Sequence, residues 1–295
     1  MAAGDIVLGA NQYGKAECRL VRVRRDTPVH ELQDLNVTTQ LRGDFAACHT
    51  DGDNSQVVAT DTQKNTVYAF ARRHPIASPE EFLTTVGRHF VEEFDWVTGG
   101  DFSTEVFAWE RIVADGAPHD HSFLRSGRET RTAVVTLDGE RSTVVAGLKD
   151  CTILKSTGSE FGGFPRDGYT TLPETTDRIL ATSLTATWRY VETGPHDGPD
   201  YDGPDYDGLY AGIRDTLLST FASVHSLALQ QTIFEMGKEV LERFGEVAEI
   251  SLSCPNKHHF LVDLEPFGLD NPGEVFFAAD RPYGLIQATV LREGA

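Results

Sequence analysis

Cysteine is scarce and scattered in this chain: Cys18, Cys48, Cys151 and Cys254 are its only four, and no two of them form a C-x-x-C pair. That spacing excludes the dense disulfide framework of small secreted domains and reads as reduced, buried thiols. Long apolar runs are missing too, since no stretch reaches the ~18–20 apolar residues that a membrane span requires. The start, Met1-Ala2-Ala3-Gly4-Asp5, lacks the basic region and apolar stretch of a secretory signal, and the end, Arg292-Glu293-Gly294-Ala295, is not a peroxisomal Ser-Lys-Leu address. A cytoplasmic protein with no membrane partner is the expectation. Positive charge is in deficit: 26 basic against 45 acidic side chains leave a net charge of −19. Such a field repels phosphate backbones and anionic membranes, which argues against nucleic acid as a partner. It would also slow an anionic substrate, so a site for one needs its own lysine or arginine.

What is present is an ordinary globular composition, 40% apolar and 24% charged over 295 residues. A single core rarely grows past ~250–300 residues, so two modules of roughly 150 residues each are expected.

Ala16, Cys18 and Leu20 would share one face of a strand over 16–24, after which Val21 and Val23 take over the apolar phase; a bulge or change of buried face is expected between them. A second apolar run, Val57-Val58-Ala59, leads into Thr60-Asp61-Thr62, and the long polar stretch between the runs suggests a wide hairpin. Ser78-Pro79-Glu80-Glu81 is a capping box with proline at the first helical position, followed by Phe82, Val86, Phe90 and Phe94 at four-residue spacing. Strands are expected over 105–113, 130–137 and 142–154, with an Asp138-Gly139 turn between the last two. The second half repeats the plan: a strand over 186–191, helices marked by Leu209, Ile213, Leu217, Phe221 and by Ile233, Met236, Val240, Phe244, then strands near Ile250 and over 260–264. Hairpins, helices and hairpins in two rounds predict an α+β protein of two similar modules, 1–139 and 140–295, with helices on one face of antiparallel sheets. The repetition is of architecture, not of sequence. An Asp/Gly/Pro-rich loop spans 194–208; its acidic clusters lack the glycine and glutamate positions of an EF-hand, so a solvated loop is the expected reading.

Several polar segments have the residue types that chemistry needs: Tyr13-Gly14-Lys15, Val58-Ala59-Thr60-Asp61-Thr62-Gln63-Lys64-Asn65-Thr66, Leu154-Lys155-Ser156-Thr157-Gly158-Ser159-Glu160-Phe161, Asp177-Arg178-Ile179-Leu180 and Pro255-Asn256-Lys257-His258-His259-Phe260. Taken alone each has a plain explanation. Lys15 reads as a solvated strand lysine, Thr60 as a β-former, Arg178 as an ion-pair residue, Gln230 as a polar residue before a helix, Phe161 as core, and Asn256 as a turn residue. In this order and at these separations, over almost the whole chain, they resemble the urate oxidases.

That resemblance implies tandem tunnelling-fold (T-fold) modules assembling into a barrel, and a homotetramer with active sites at subunit interfaces. It implies oxidation of urate by O2 to 5-hydroxyisourate with release of H2O2, without cofactor or metal. Lys15 would pair with Thr60 of a neighbouring subunit as a proton relay extended by His258, because urate must lose a further proton before it can give an electron to oxygen. Arg178 would grip one purine edge with its planar fork and Gln230 the other with an amide that both donates and accepts. Phe161 would stack on the ring, and Asn256 would face the place where oxygen and then peroxide is held. Thr60, Asp61 and Leu229 would contact urate partly through their backbone; the family often has valine at the position of Leu229. Two alternatives stay open, a zinc-dependent pterin or purine enzyme of the same fold and a purine-binding protein without turnover. His119-Asp120-His121, expected in a loop, is the one pair that could begin a zinc site.

Overall fold

The computed structural model describes residues 5–127, 129–191, 203–279 and 281–293. It divides into two compact units, residues 1–146 with 192–206 and residues 147–191 with 207–295. The expected boundary at 139/140 falls on the turn of a hairpin, whereas the units divide seven residues later, inside the strand that follows. Of the Asp/Gly/Pro-rich loop, 194–202 lie outside the described residues, and Tyr206 already begins a helix. No helix among the described residues is long and apolar enough to cross a membrane.

In the first unit the chain runs β1 (Tyr13–Arg24), β2 (Glu31–Gly43), a short helix α1 (Ala46–Thr50), α2 (Thr60–Arg73), α3 (Pro79–Glu93), β3 (Val97–Val106), β4 (Trp109–Ala114), β5 (Ala117–Arg125), β6 (Thr130–Asp138) and the start of β7 (Arg141–Lys155). Strands β1, β2, β3 and β6 pair antiparallel in that order. Alternation builds the buried face: Leu35, Val37, Thr39 and Leu41 of β2 are buried while their neighbours point away. Ser78 caps α3 by accepting from the Glu81 amide at 3.2 Å, and Phe82, Leu83, Val86 and Phe90 press its apolar stripe onto β3 and β6.

Several expectations need correction here. The partner of β1 is β2, not the run at 57–59, which is the coil that leads into α2. The strand expected over 105–113 breaks at Phe107-Ala108, and β4 leaves the sheet to pair only with β5, through an Asp115-Gly116 turn in which both residues have positive φ (53° and 82°). His119 and His121 therefore sit on a strand, with ring centroids 4.5 Å apart, and among the described residues no group of three or more His, Cys, Asp or Glu is arranged to hold a metal ion. The bulge in β1 lies between Lys15 and Cys18, earlier than the phase change suggested, and leaves Ala16 exposed.

The second unit continues with the rest of β7, then β8 (Leu180–Tyr190), α4 (Tyr206–Ser223), α5 (Leu229–Arg243), β9 (Val247–Asn256), the short pair β10 (His259–Leu261) and β11 (Phe276–Ala278), and β12 (Gly284–Leu291). β9 pairs antiparallel with β8 on one side and β12 on the other. The α4 and α5 stripes are as expected, with Ile213, Leu217, Phe221, Ile233, Met236 and Val240 all buried. The antiparallel α+β plan expected from the sequence is what both units show.

The repetition of architecture extends to details of one helix pair. α3 and α5 are each 15 residues long, and aligned end to end they match Gly87 with Gly237 and are followed by Phe94 and Phe244, then Val97 and Val247. Both glycines serve close packing. A Cβ at Gly87 would stand 2.7 Å from the Phe102 ring, and one at Gly237 would stand 2.6 Å from a Val290 methyl. The second residue of each helix differs in use. Glu80 is fully buried and accepts from the Arg131 guanidinium at 2.9 Å, whereas Gln230 is exposed.

Candidate active site

Each unit holds part of the expected site at the N-terminus of a helix. In the first unit these parts are Lys15 on β1 and Thr60 and Asp61 in the first turn of α2. One chain thus supplies both Lys15 and Thr60 from the same unit, where the sequence reading paired Lys15 with Thr60 of a neighbouring subunit. The bulge shapes the strand here: Glu17 takes φ 57°, and its amide donates to the Thr38 hydroxyl at 3.0 Å. An inserted residue of this kind re-aims the side chains beside it, and Lys15 is the residue on its edge.

Thr60 is not in a strand but is the first residue of α2. The N-cap Ala59 has no side chain to cap with, so the first amides of the helix meet no side-chain acceptor there. Exposed N–H groups and the positive end of the helix dipole suit an anion beside Thr60 and Asp61. The Asp61 carboxylate is held down on the helix. It accepts from Lys64 Nζ and from Asn65 Nδ2 at 3.0 Å, and the Lys64 bond and charge, with a smaller contribution from Lys15, lower its pKa below the usual carboxylate value. Burial raises the nearby Cys18 thiol, opposed by the charges of Lys15 and Lys64.

In the second unit a hydrogen-bonded knot holds Arg178. Asp177 accepts from the Thr157 hydroxyl at 2.8 Å and the Gly158 amide at 3.0 Å, which lowers its own pKa. Arg178 donates Nε to Ser159 Oγ at 3.4 Å, leaving the terminal nitrogens of its fork for a ligand, and partial burial lowers its pKa. Its guanidinium carbon lies 5.2 Å from the Phe161 ring centroid. Phe161 is fixed by a two-way backbone bridge to Thr175, at 2.9 and 3.0 Å, and its ring stacks against Phe164. The segment is tied in turn to the start of α5. Ser226 bonds through its backbone to Gly158 and Glu160, and its hydroxyl accepts from Thr232 at 2.7 Å. Ser159, Ser226 and Thr232 are completely buried.

At the start of α5 the Leu229 side chain is buried, so it offers the outside only its backbone, while Gln230 is exposed. Asn256 ends β9 between Thr182 and Gly284 and is nearly buried. His258 follows two residues later. Burial first, then the charge of Arg178 and the neighbouring His259, lower its pKa from 6.5. The structure thus brings Arg178, Phe161 and His258 into one neighbourhood and Lys15 with Asp61 into another. The sequence reading missed the supports: Asp177, the buried hydroxyls of Ser159, Ser226 and Thr232, and the Lys64 and Asn65 clamp on Asp61. Asp177, Ser159 and Lys64 stood inside the quoted segments; nothing in the sequence pointed to Ser226 or Thr232.

Comparison with known proteins gives a family and solved structures of the same fold. The model of the uricase family matches residues 11–136 and 144–287. The uricase of Arthrobacter globiformis is 61% identical over 98% of this chain and 91% of its own length, and that of Aspergillus flavus is 38% identical over 96% of each. The crystal structure of the Arthrobacter globiformis uricase superposes with a TM-score of 0.90 at 60% identity, covering 99% of this chain and 97% of that one. A urate oxidase from Bacillus sp. TB-90 superposes with a TM-score of 0.79 at 27% identity, covering 96% of this chain and 100% of that one.

Proposed function

The chain belongs to the uricase family and oxidises urate, and we propose that it does so with Lys15, Thr60 and His258 moving protons and with Arg178, Gln230, Phe161, Asn256, Asp61 and Leu229 holding the reactants. The reaction balances as urate, O2 and water giving 5-hydroxyisourate and H2O2: two electrons leave the purine and reduce oxygen to peroxide, and water supplies the new C5 oxygen.

The observation that carries the assignment is Arg178. Its Nε is anchored on buried Ser159 and its fork lies beside the Phe161 ring, an arrangement that can bond a purine edge while an aromatic face meets the ring. The exposed amide of Gln230 supplies the donor and acceptor for the opposite edge. Urate arrives as an anion, and the site offers Arg178 and two helix N-termini without side-chain caps, a local reversal of the chain's net charge of −19. The further proton leaves toward the Thr60 hydroxyl, which passes its own to the Lys15 side chain acting as the uncharged amine. His258, kept neutral by burial and by the Arg178 charge, can accept a proton on the second half of the reaction. The Asn256 amide, nearly buried at the end of β9, donates to the charge that develops on oxygen.

In this reading Thr60 and Lys15 of one subunit complete the site with Arg178 and Gln230 of another in a homotetramer, and no cofactor is involved. The free cysteines, three of them buried, support a reducing compartment, the cytoplasm. The test follows the loss of urate absorbance and the release of peroxide together in chelator-treated protein. Matching urate loss and peroxide is expected, and Lys15→Met should abolish turnover while the protein still binds urate under anaerobic conditions. Activity that returns only with added zinc would support the metal-dependent alternative, and urate binding with no depletion would support the binding protein.

A further inference from the structure

A buried polar pair joins the strand of Lys15 to the helix of Thr60. Thr39 on β2 and Gln63 on α2 are both completely buried. The Thr39 hydroxyl donates to Gln63 Oε1 at 2.8 Å, and Gln63 Nε2 donates to the Val58 carbonyl at 3.2 Å. The orientation of the amide is fixed by elimination. The Val58 carbonyl can only accept, so the NH2 must face it and the amide oxygen must face Thr39. Thr39 therefore spends its proton on Gln63 and keeps its lone pairs for the backbone amide of Lys15, which donates to it at 3.4 Å. At the far end, the Val58 carbonyl, two residues before Thr60, also accepts from the Tyr13 hydroxyl at 3.1 Å, and Tyr13 lies two residues before Lys15.

Both ends of this chain of bonds therefore stop at the backbone beside a relay residue. A leucine at 63 and a valine at 39 would fill the same space, and a neutral buried hydrogen bond adds only about 1 kcal/mol net to stability. What an apolar pair could not supply is a fixed register between the bulged strand and the first turn of the helix. We infer that Thr39 and Gln63 are positioning residues, a buried strut that sets the separation between the Lys15 strand and the Thr60 hydroxyl. This rests on the relay assigned above to Lys15 and Thr60.

The experiment compares Thr39→Val, Gln63→Met, the double variant and Thr39→Ser with Lys15→Met, measuring kcat and KM for urate, anaerobic urate binding, and folding by circular dichroism. Loss of the strut should lower kcat about tenfold in each single variant, because misplacement on the ångström scale costs up to about a hundredfold. KM and anaerobic binding should stay within about twofold, since Arg178 and Gln230 are untouched. The double variant should be no slower than the slower single one, because either change breaks the same chain of bonds, and Thr39→Ser should restore most of kcat. A well-folded Thr39→Val with full kcat, or with raised KM and unchanged kcat, overturns the strut while leaving the relay in place. Full activity of Lys15→Met overturns both. Should Gln63→Met fail to fold, Thr39→Val, which differs from threonine by one hydroxyl, decides alone.

Discussion

Burial and two positive neighbours push the His258 ring in one direction, toward the neutral form. A lowered pKa means that the imidazole remains able to accept a proton below 6.5, the ordinary histidine value. The acid limb of kcat/KM should therefore lie below that pH and be lost in His258→Asn; a limb that persists unchanged in the variant would remove His258 from the proton pathway. The same shift carries a stability cost that sets in as the pH falls through 6.5, because the unfolded chain takes up the proton first. At this scale the sequence was most informative for residues with exposed or reacting groups. Lys15, Arg178 and His258 are legible through the family resemblance of the segments that carry them, since alone a surface lysine, arginine or histidine has a plain reading. Ser159, Ser226 and Thr232 are not, because small hydroxyl residues are common and their value depends on being completely buried against each other.

Glycine at the ninth position of both α3 and α5 sets opposing effects against each other. Replacing it with alanine in a helix interior would by propensity gain about 1 kcal/mol. The added methyl would press on the Phe102 ring in one helix and on Val290 in the other, both at less than van der Waals distance. Overpacking of this kind costs about 1–3 kcal/mol, so Gly87→Ala and Gly237→Ala should each lower Tm in thermal denaturation. A rise in Tm would mean that the helices can slide away from the sheet at little cost. Elements with strong stripes were readable beforehand: α3 from its cap and phenylalanines, α4 and α5 from their four-residue spacing. α2 was not, because its buried face is Gln63, Val67 and Ala71, one polar residue and only two apolar ones. β2 shows a clear alternation, but the polar residues of its other face, Asn36, Thr38, Gln40 and Arg42, made the segment look like a loop.

Over the whole molecule the charge of −19 opposes an anionic substrate, and how far that opposition reaches is set by salt. The screening length is about 30 Å at 0.01 M and about 8 Å at 0.15 M, so only at low salt does the distant acidic surface act on incoming urate. Raising ionic strength across that range should increase kcat/KM, read as initial rates at low urate. A decrease would show that the cations of the site already dominate the approach path. Net charge was fully readable from composition, whereas the uncapped starts of α2 and α5 and the partly buried Arg178 are visible only in the folded units. The paired helices α3 and α5 also show one frame put to two uses. They share length, a glycine at the ninth position and the same exit into a strand, yet their second positions differ, Glu80 sealed against Arg131 and Gln230 left open to the outside. The buried glutamate ties α3 to β6 and tolerates no substitution that strands the arginine, whereas position 230 of α5 carries no packing demand, so its side chain is free to change without cost to the fold.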